Sequence, residues 1–118
     1  MITLYGIPNC DTVKRARKAL EAAGIDHTFH DFRRDGLPAD EARRWLRTLG
    51  ADQLINRRGT TWRKLDDAQR DCHSEADWLA LMQAEPSLIK RPVIARGEAL
   101  KLGFAASEQD AILSWLRA

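Results

Sequence analysis

Cys10 is the residue of this sequence best placed to act as a nucleophile. It ends a run of Gly, Ile, Pro, Asn and Cys at residues 6–10 and stands directly before a segment with helical periodicity. The first turn of a helix presents unpaired N–H groups and about half a positive charge, which stabilise a thiolate. Because the thiolate is the nucleophilic form of cysteine, this position predicts a reactive sulfur. A small buried cysteine is the alternative.

Two cations and one hydroxyl group share the first turns of this predicted helix with Cys10. At 100° per residue, Lys14 lies ~40° from Cys10 around the helix, and Arg17 lies ~20° in the other direction. Thr12 offers a hydroxyl group and a backbone N–H within the same turn. We therefore expect Lys14 and Arg17 to stand on the side of the sulfur and to favour its anionic form.

A basic segment at residues 56–64 is the second candidate site. It contains four basic residues, two threonines and one tryptophan. The planar fork of an arginine matches a carboxylate or an oxyanion at two points. An anion site and a solvated basic surface both fit this composition. Nucleic-acid binding is not expected, since 19 Lys and Arg against 17 Asp and Glu leave a formal charge of only +2.

The second cysteine and the histidines give weaker indications. Cys72 lies in a polar stretch and is either a resolving thiol for Cys10 or an incidental, half-exposed cysteine. His27 and His30 are three residues apart in a predicted strand, so their side chains face opposite sides. Cys72 with His73 supplies at most two ligands, without a second pair at the spacing of a zinc site. No metal site is predicted.

Apolar periodicity and the positions of glycine and proline predict the elements that must position these residues. The order is strand, helix, strand, then a helical middle, then two strands and a last helix. The first strand and the helix after it form a parallel crossover unit with the second strand. Residues 51–73 are expected to be irregular, with short helical turns near 52–56 and 66–72, and Ser107 is expected to cap the last helix. The other predicted elements are strands at 2–5, 27–32, 93–95 and 99–102 and helices at 11–23, 38–49 and 74–85.

Length and composition set the class of protein. The chain has 118 residues, of which 44% are hydrophobic and 31% are charged, as expected for one globular domain. No apolar run approaches the ~18–20 residues of a membrane helix, and the first residues do not have the pattern of a secretory signal. A cytoplasmic protein without a membrane partner is therefore expected, and its two cysteines are too few for a disulfide framework.

Three separated motifs resemble the ArsC-like (arsenate reductase-related) family of the thioredoxin superfamily, and within it the YffB type. They are residues 4–12, residues 56–65 and residues 89–92, and residues 102–104 fit as well. The resemblance extends over essentially the whole chain. It implies a thioredoxin-like α/β fold with a four-stranded mixed sheet in a single domain of residues 1–118, interrupted by a helical insertion at residues 36–88.

The resemblance also implies roles for individual residues. It implies that Pro92 is a cis proline beside the cysteine loop and that Arg91 faces the active cysteine. It implies that an arginine of the insertion approaches the anion site, with Arg58 as the better match and Arg57 as the alternative. The predicted catalytic residues are Cys10 and Arg91, and the predicted substrate- or anion-binding residues are Asn9, Thr12, Lys14, Arg58 and Pro92.

Departures from the family pattern decide which activity to expect. Arsenate reductases of this family carry a histidine where this chain has Gly6 and an arginine near the position of Ala105. Spx-type regulators usually carry a Cys-x-x-Cys pair, whose second position is Val13 here. The predicted function is therefore a glutathione-dependent thiol reductase, with a glutaredoxin- and glutathione-coupled arsenate reductase and an Spx-like regulator as alternatives.

That function implies a short list of partners. Glutathione serves as cosubstrate, because an external thiol replaces the absent second cysteine. The substrate is a small oxidised thiol or an oxyanion, glutaredoxin is a further candidate partner, and no tightly bound cofactor is expected.

Overall fold

The structure, a computed structural model, describes residues 1–118 and contains the predicted order of elements. The strands are β1 (Ile2–Gly6), β2 (Thr28–Asp31), β3 (Val93–Arg96) and β4 (Ala99–Leu102). The helices are α1 (Asp11–Ala22), α2 (Phe32–Asp35), α3 (Ala39–Leu49), α4 (Ala51–Leu54), α5 (Thr60–Lys64), α6 (Asp67–Arg70), α7 (Glu75–Ala84) and α8 (Gln109–Arg117). Two short 3-10 turns, Pro86–Leu88 and Ala106–Glu108, complete the set.

The chain divides into two compact units. The sheet unit consists of residues 1–35 and 91–118, and the helical unit consists of residues 36–90. No helix of either unit combines the length and the apolar character needed to cross a membrane.

The sheet unit is built on a four-stranded mixed sheet of order β2-β1-β3-β4. β1 and β2 are parallel and are connected by α1, whereas β1 pairs with β3, and β3 with β4, in antiparallel fashion. This is the predicted mixed sheet, with the parallel pair produced by a crossover helix as expected.

The core of the sheet unit lies where α1 and α8 pack on the sheet. The buried residues of this core are Leu4, Val13, Ala16, Leu20, Ile94, Phe104, Ile112 and Leu116. Spacings of three and four along α1 place its apolar residues on one side of that helix. Burial of each of the large aliphatic side chains contributes about 1.5–3 kcal/mol, so the core fixes the start of α1 firmly against β1.

The helical unit is held together by a short backbone bridge and a buried tryptophan. Ile55 and Ile89 pair as an isolated antiparallel bridge. On either side of it, Asn56 donates its N–H to the carbonyl of Leu88 and Lys90 donates its N–H to the carbonyl of Leu54, both at 2.8 Å. Trp45 is fully buried. The bridge therefore ties the segment before the basic loop to the segment that leaves the unit.

Three local predictions differ from the structure, and for the end of β2 a polar contact explains the difference. β2 ends at Asp31, whose carboxylate accepts the N–H of Arg33 at 2.9 Å and so favours the start of α2. α5 forms in the segment expected to be irregular. Ser107 lies inside a 3-10 turn, and α8 begins at Gln109 without a side-chain cap.

Candidate functional site

The loop after β1 delivers Cys10 to the start of α1. β1 ends at Gly6, Ile7 is buried, and Cys10 occupies the N-cap position with extended backbone angles of φ −90° and ψ 126°. The N–H of Cys10 donates to the carbonyl of Ile7 at 3.4 Å, which closes a turn between strand and helix. The predicted position of Cys10 at the mouth of a helix is confirmed.

Cys10 directly precedes the amide groups that come before the helical hydrogen-bond ladder of α1. The first bond of that ladder runs from the N–H of Lys14 to the carbonyl of Cys10, at 2.9 Å. The amides of residues 11–13 therefore have no helical acceptor, and no side chain caps them. Cys10 itself is half-buried and packs against the core of the sheet unit. Cys10 therefore lies at the positive end of the α1 dipole and remains partly accessible.

Strand register brings Arg91 and Pro92 to the end of the sheet that carries the cysteine loop. Tyr5, near the end of β1, pairs with Val93 at the start of antiparallel β3. Residues 91–92 therefore enter the sheet where residues 6–10 leave it. The Arg91–Pro92 peptide bond is cis, as the family resemblance implied. Pro92 is buried, whereas Arg91 is half-buried.

The other predicted residues near Cys10 differ in whether their side chains already contact another part of the protein. Asn9 and Lys14 are exposed, Thr12 is half-buried, and Lys14 forms no ion pair. The guanidinium of Arg17, however, lies 4.1 Å above the ring of Phe29. Arg17 is therefore committed to a cation–π contact with β2, which a helical wheel drawn on α1 alone could not show.

Sequence reasoning also missed Arg15 at the other side of α1. Its guanidinium donates a hydrogen bond to the carbonyl of Phe104 and lies 5.9 Å from the ring of that residue. This contact ties the first turns of α1 to the segment before α8. The spacing of the apolar residues in α1 indicates only that Arg15 is exposed, and it does not indicate this contact.

Gly6 is tightly packed against α1. A Cβ atom built on Gly6 would lie 2.7 Å from Cγ2 and 3.3 Å from Cγ1 of Val13, a residue with no exposed surface. No side chain fits at residue 6 unless Val13 or the helix backbone moves. The absence of a Cβ atom here lets the first turn of α1 approach the end of β1.

Arg58 belongs to the helical unit and lines a cavity of about 370 Å³ there. The residues around it are Asp52, Ile55, Asn56, Arg57, Arg58 and Lys90. The N–H of Arg58 donates to Oδ1 of Asn56 at 3.1 Å, a local turn that fixes the backbone at this position. The Arg58 side chain is exposed and forms no ion pair.

Arg57 has a different environment from its neighbour. It forms an ion pair with Asp52 at 2.8 Å, and its guanidinium lies 5.7 Å and 5.4 Å from the rings of Trp62 and Trp78. Of the two arginines that the sequence left as alternatives, Arg58 is the one whose charge is available to a ligand. Sequence reasoning missed Lys90, because its proximity to Arg58 depends on the bridge between residues 55 and 89.

Cys72 sits in surroundings that oppose ionisation. Its sulfur is half-buried and donates to the carbonyl of Gln69 at 3.5 Å. Burial raises the pKa of the Cys72 thiol, and the carboxylates of Asp77 and Asp71 raise that pKa further. These surroundings disfavour a nucleophilic role for Cys72.

The histidines have separate local contacts. The ring of His27 bonds the carbonyl of Ile25 through Nδ1 at 2.9 Å, and the ring of His30 lies 5.0 Å from that of Tyr5. His73 bonds Asp71 through Nε2 at 2.5 Å. No group of three or more His, Cys, Asp or Glu side chains is close enough to hold a metal ion.

Comparison with solved structures supports the fold class. A solved YffB protein has a TM-score of 0.87 and is 42% identical, and the match covers 96% of this chain and 99% of that one. An arsenate reductase (ArsC) related protein from Brucella melitensis is 47% identical with a TM-score of 0.75, over 93% of this chain and 92% of that one. The predicted thioredoxin-like α/β fold is thereby confirmed.

Comparison of the sequence gives the family. Global transcriptional regulator Spx 1 of Oceanobacillus iheyensis is 32% identical over 110 residues, which are 92% of this chain and 83% of that protein. The family model for the ArsC family matches residues 5–112. This match, which spans most of the chain, shows that the chain belongs to the ArsC family.

Proposed function

We propose that this chain is a thiol-dependent reductase in which Cys10 is the nucleophile and glutathione is the thiol cosubstrate. The observation that carries the proposal is the position of Cys10 as the N-cap residue of α1, half-buried and next to amides without helical partners. Membership of the ArsC family and similarity to an arsenate reductase related protein support the same class of activity.

The proposed reaction is an exchange of disulfides in two steps. The Cys10 thiolate attacks the glutathione sulfur of a mixed disulfide between glutathione and the substrate, so that the substrate leaves as a thiolate and takes up a proton. A disulfide between Cys10 and glutathione remains. A second glutathione thiolate attacks the glutathione sulfur of that disulfide, which releases oxidised glutathione and restores the Cys10 thiolate. In the net reaction the thiol of the incoming glutathione is oxidised, the substrate sulfur is reduced to a thiol, and the glutathionyl sulfur of the mixed disulfide stays at the disulfide level.

The other predicted residues are proposed to support this exchange by binding charged groups of the ligands and by orienting the reacting sulfur. Arg91 and Arg58 are proposed to bind carboxylates of glutathione or an oxyanion of the substrate. Asn9 and the Thr12 hydroxyl are proposed to orient the bound sulfur, and Lys14 is proposed to interact with the anionic sulfur. Pro92 is proposed to border the bound disulfide. No tightly bound cofactor is needed, because the electrons come from thiols.

A coupled assay tests the proposal directly. The substrate is the mixed disulfide of glutathione and 2-mercaptoethanol, and oxidised glutathione is detected by NADPH consumption with glutathione reductase. We expect the unaltered protein and Cys72→Ser to turn over at similar rates and Cys10→Ser to be inactive. Equal rates for Cys10→Ser and the unaltered protein would exclude Cys10 as the nucleophile.

Arsenate reduction is a second candidate, because one solved relative is described as arsenate reductase related. In this chain Gly6 replaces the histidine of arsenate reductases, and the 2.7 Å approach to Val13 leaves no room for such a ring. Ala105, in place of the arginine, is an exposed residue without charge. Arsenate turnover with glutathione and glutaredoxin that disappears in Cys10→Ser would favour this candidate over the first.

A regulatory role without catalysis is the third candidate, because the chain is similar to an Spx regulator over most of its length. The second position of the Cys-x-x-Cys pair is Val13, which is completely buried in the core of the sheet unit. A local disulfide switch at Cys10 is therefore absent. This candidate predicts binding to a protein partner that Cys10→Ser leaves unchanged.

A further inference from the structure

The segment that follows β4 contacts both α1 and Pro92. It consists of residues 103–105 and leads from β4 to the 3-10 turn before α8. The N–H of Gly103 donates to the carbonyl of Pro92 at 2.9 Å, so that the pairing of β3 with β4 continues for one residue beyond both strands. The side chain of Phe104 is buried in the core that α1 and α8 share with the sheet. This segment therefore connects the cysteine helix to the residue that precedes β3.

Arg15 forms the connection from the side of α1. Its guanidinium donates a hydrogen bond to the carbonyl of Phe104 and lies 5.9 Å from the centroid of the Phe104 ring. Arg15 forms no ion pair, so its charge is available to this contact. A hydrogen bond from a charged donor contributes more than one between neutral groups. The path from Arg15 to Pro92 then needs only the backbone of two residues, Phe104 and Gly103.

The Arg15 contact adds a direction to the packing of α1. The apolar side of the helix holds it on the core through contacts that have no preferred direction. A hydrogen bond from a guanidinium to a carbonyl has a preferred distance and angle. On the side of β2, the guanidinium of Arg17 lies 4.1 Å from the ring of Phe29. The two arginines therefore hold α1 to different parts of the sheet unit, and of the two Arg15 is the one connected to Pro92.

Cys10 lies on the same rigid element as Arg15. The helix is continuous over Asp11–Ala22 with Cys10 as its N-cap, and Arg15 follows Cys10 by five residues, about 7.5 Å along the axis. Cys10 also packs against the core cluster that contains Phe104. A shift of α1 at Arg15 would therefore move the sulfur of Cys10 as well.

We propose that Arg15 is a positioning residue for the reaction of Cys10, because it fixes α1, and with it the sulfur, relative to Pro92. The effect on the reaction rests on the proposed function, in which Pro92 borders the disulfide bound at Cys10. The connection from Arg15 to Pro92 stands on the contacts of the sheet unit alone. Loss of Arg15 should slow reactions that need both Cys10 and Pro92 and spare reactions that need only the sulfur.

Three variants of the full-length protein, each in a Cys72→Ser background, separate the contact from the charge. Arg15→Met removes the donors and the charge at similar side-chain length. Arg15→Lys keeps the charge and one donor group. Lys18→Met is the matched control, because Lys18 is an exposed residue of the same helix without a hydrogen bond or an ion pair.

Amide hydrogen exchange, measured by NMR, tests the connection without thiol chemistry. The Gly103 amide, which donates to Pro92, should exchange about tenfold faster in Arg15→Met than in the parent and less than about twofold faster in Lys18→Met. The amide of Ile25, at the other end of α1, should stay within about twofold of the parent, which excludes a general loss of stability. Unchanged exchange of Gly103 in Arg15→Met, or equal acceleration of Gly103 and Ile25, would overturn the proposal.

Two reactions of Cys10 distinguish positioning from an effect of charge. In the coupled assay, Arg15→Met should lower kcat/KM for the mixed disulfide of glutathione and 2-mercaptoethanol about five- to tenfold, and Lys18→Met less than about twofold. Arg15→Lys should restore at least about half of the parent value, since an ammonium can donate to the same carbonyl. Alkylation of Cys10 by iodoacetamide needs no binding at Pro92, so its pH profile and its rate should stay within about twofold of the parent.

Three results of these two reactions would contradict the positioning role. They are equal losses of turnover and of alkylation in Arg15→Met, a loss of turnover in Lys18→Met as large as that in Arg15→Met, and no rescue by Arg15→Lys. The first would assign the effect to the charge near the sulfur, and the second to the charge of the helix as a whole. The third would mean that the contact with the Phe104 carbonyl does not matter for the reaction.

The outcome for Arg15 is separable from that for the proposed function. If Cys10 is the nucleophile but Arg15→Met changes neither kcat/KM nor the exchange of Gly103, only the positioning role is refuted. If Cys10→Ser turns over as fast as the parent, the reductase function is refuted, and the exchange of Gly103 alone decides whether Arg15 couples α1 to Pro92.

Discussion

Replacing Gly6 with alanine tests how closely β1 and α1 must approach to position Cys10. The new Cβ atom would lie 2.7 Å from Cγ2 of Val13, about 1 Å inside the usual contact distance between carbon atoms. Val13 has no exposed surface, and a β-branched side chain in a helix has essentially one rotamer, so it cannot turn away. The strain must be relieved by movement of the helix.

The expected cost follows from two opposing effects. Overpacking of a well-packed core costs about 1–3 kcal/mol. The φ angle of Gly6 lies outside the left-handed region, so alanine also gains about 0.4–1 kcal/mol through the unfolded state. With two methyl groups of Val13 too close, we expect a net loss of about 1–2 kcal/mol, which for a chain of this size is a decrease in Tm of roughly 4–8 °C.

A double-mutant cycle isolates the contact, with urea unfolding followed by circular dichroism. Val13→Ala alone removes two buried methyl groups and should cost about 2–3 kcal/mol. In the Gly6→Ala background the remaining Cβ–Cβ distance is an ordinary 3.7 Å, so the double variant should cost no more than Val13→Ala alone. Costs that add within ~0.5 kcal/mol would refute the reasoning.

Gly59→Ala provides the matched control for this cycle. Its Cβ would approach Nδ2 of Asn56 to 3.0 Å, but that atom is the end of a half-buried, movable side chain. We expect a loss below ~0.5 kcal/mol, within the usual range of surface substitutions. A loss as large as that of Gly6→Ala would show that glycine replacement as such, and not contact with Val13, destabilises the protein.

Three further predictions concern charge and capping. The hydrogen bond from Arg47 holds the pKa of Glu75 below its usual value. The ion pair therefore stabilises the fold above the unfolded-state pKa of Glu75, and this stabilisation is lost as the pH falls through the folded-state pKa. Glu75→Gln should flatten the acid side of a plot of Tm against pH, and an unchanged slope would contradict this. Burial and then the carboxylate of Asp77 raise the pKa of Cys72, so Asp77→Asn should speed alkylation of Cys72 near pH 8 about two- to threefold, and an unchanged rate would contradict the electrostatic cause. Asp66 caps α6 in a reciprocal capping box, so Asp66→Ala should cost about 1 kcal/mol in urea unfolding, whereas a cost near zero would mean that α6 does not contribute to stability.

The order of elements could be predicted from the sequence because local signals agree with tertiary packing in most of the chain. The apolar residues of α1 recur at helical spacing, and Val13 and Leu20 are indeed buried. The strands at 93–95 and 99–102 were also predicted, and the turn between them contains Gly97, whose φ of 59° suits glycine. Where the local preference of a segment agrees with its tertiary packing, apolar periodicity is sufficient to predict the element.

The rest required contacts between distant residues. Arg17 was predicted to face the sulfur, but the ring of Phe29 on β2 attracts its guanidinium. Lys90 could not be recognised as a partner of Arg58, because a backbone bridge between residues 55 and 89 brings the two segments together. α5 lacks an apolar stripe that would identify it, and none of its residues is fully buried. These features depend on contacts between residues that are far apart in the sequence.

The proposed function depends on the position of Cys10, and S-glutathionylation of that residue tests the proposal most directly. The full-length protein is incubated with oxidised glutathione at neutral pH, and each cysteine-containing peptide is examined by mass spectrometry over time. The half-exposed sulfur at the N-cap of α1 should take up one glutathionyl group well before Cys72, whose pKa is raised by burial. Modification of Cys72 alone, or of neither cysteine, would contradict the account.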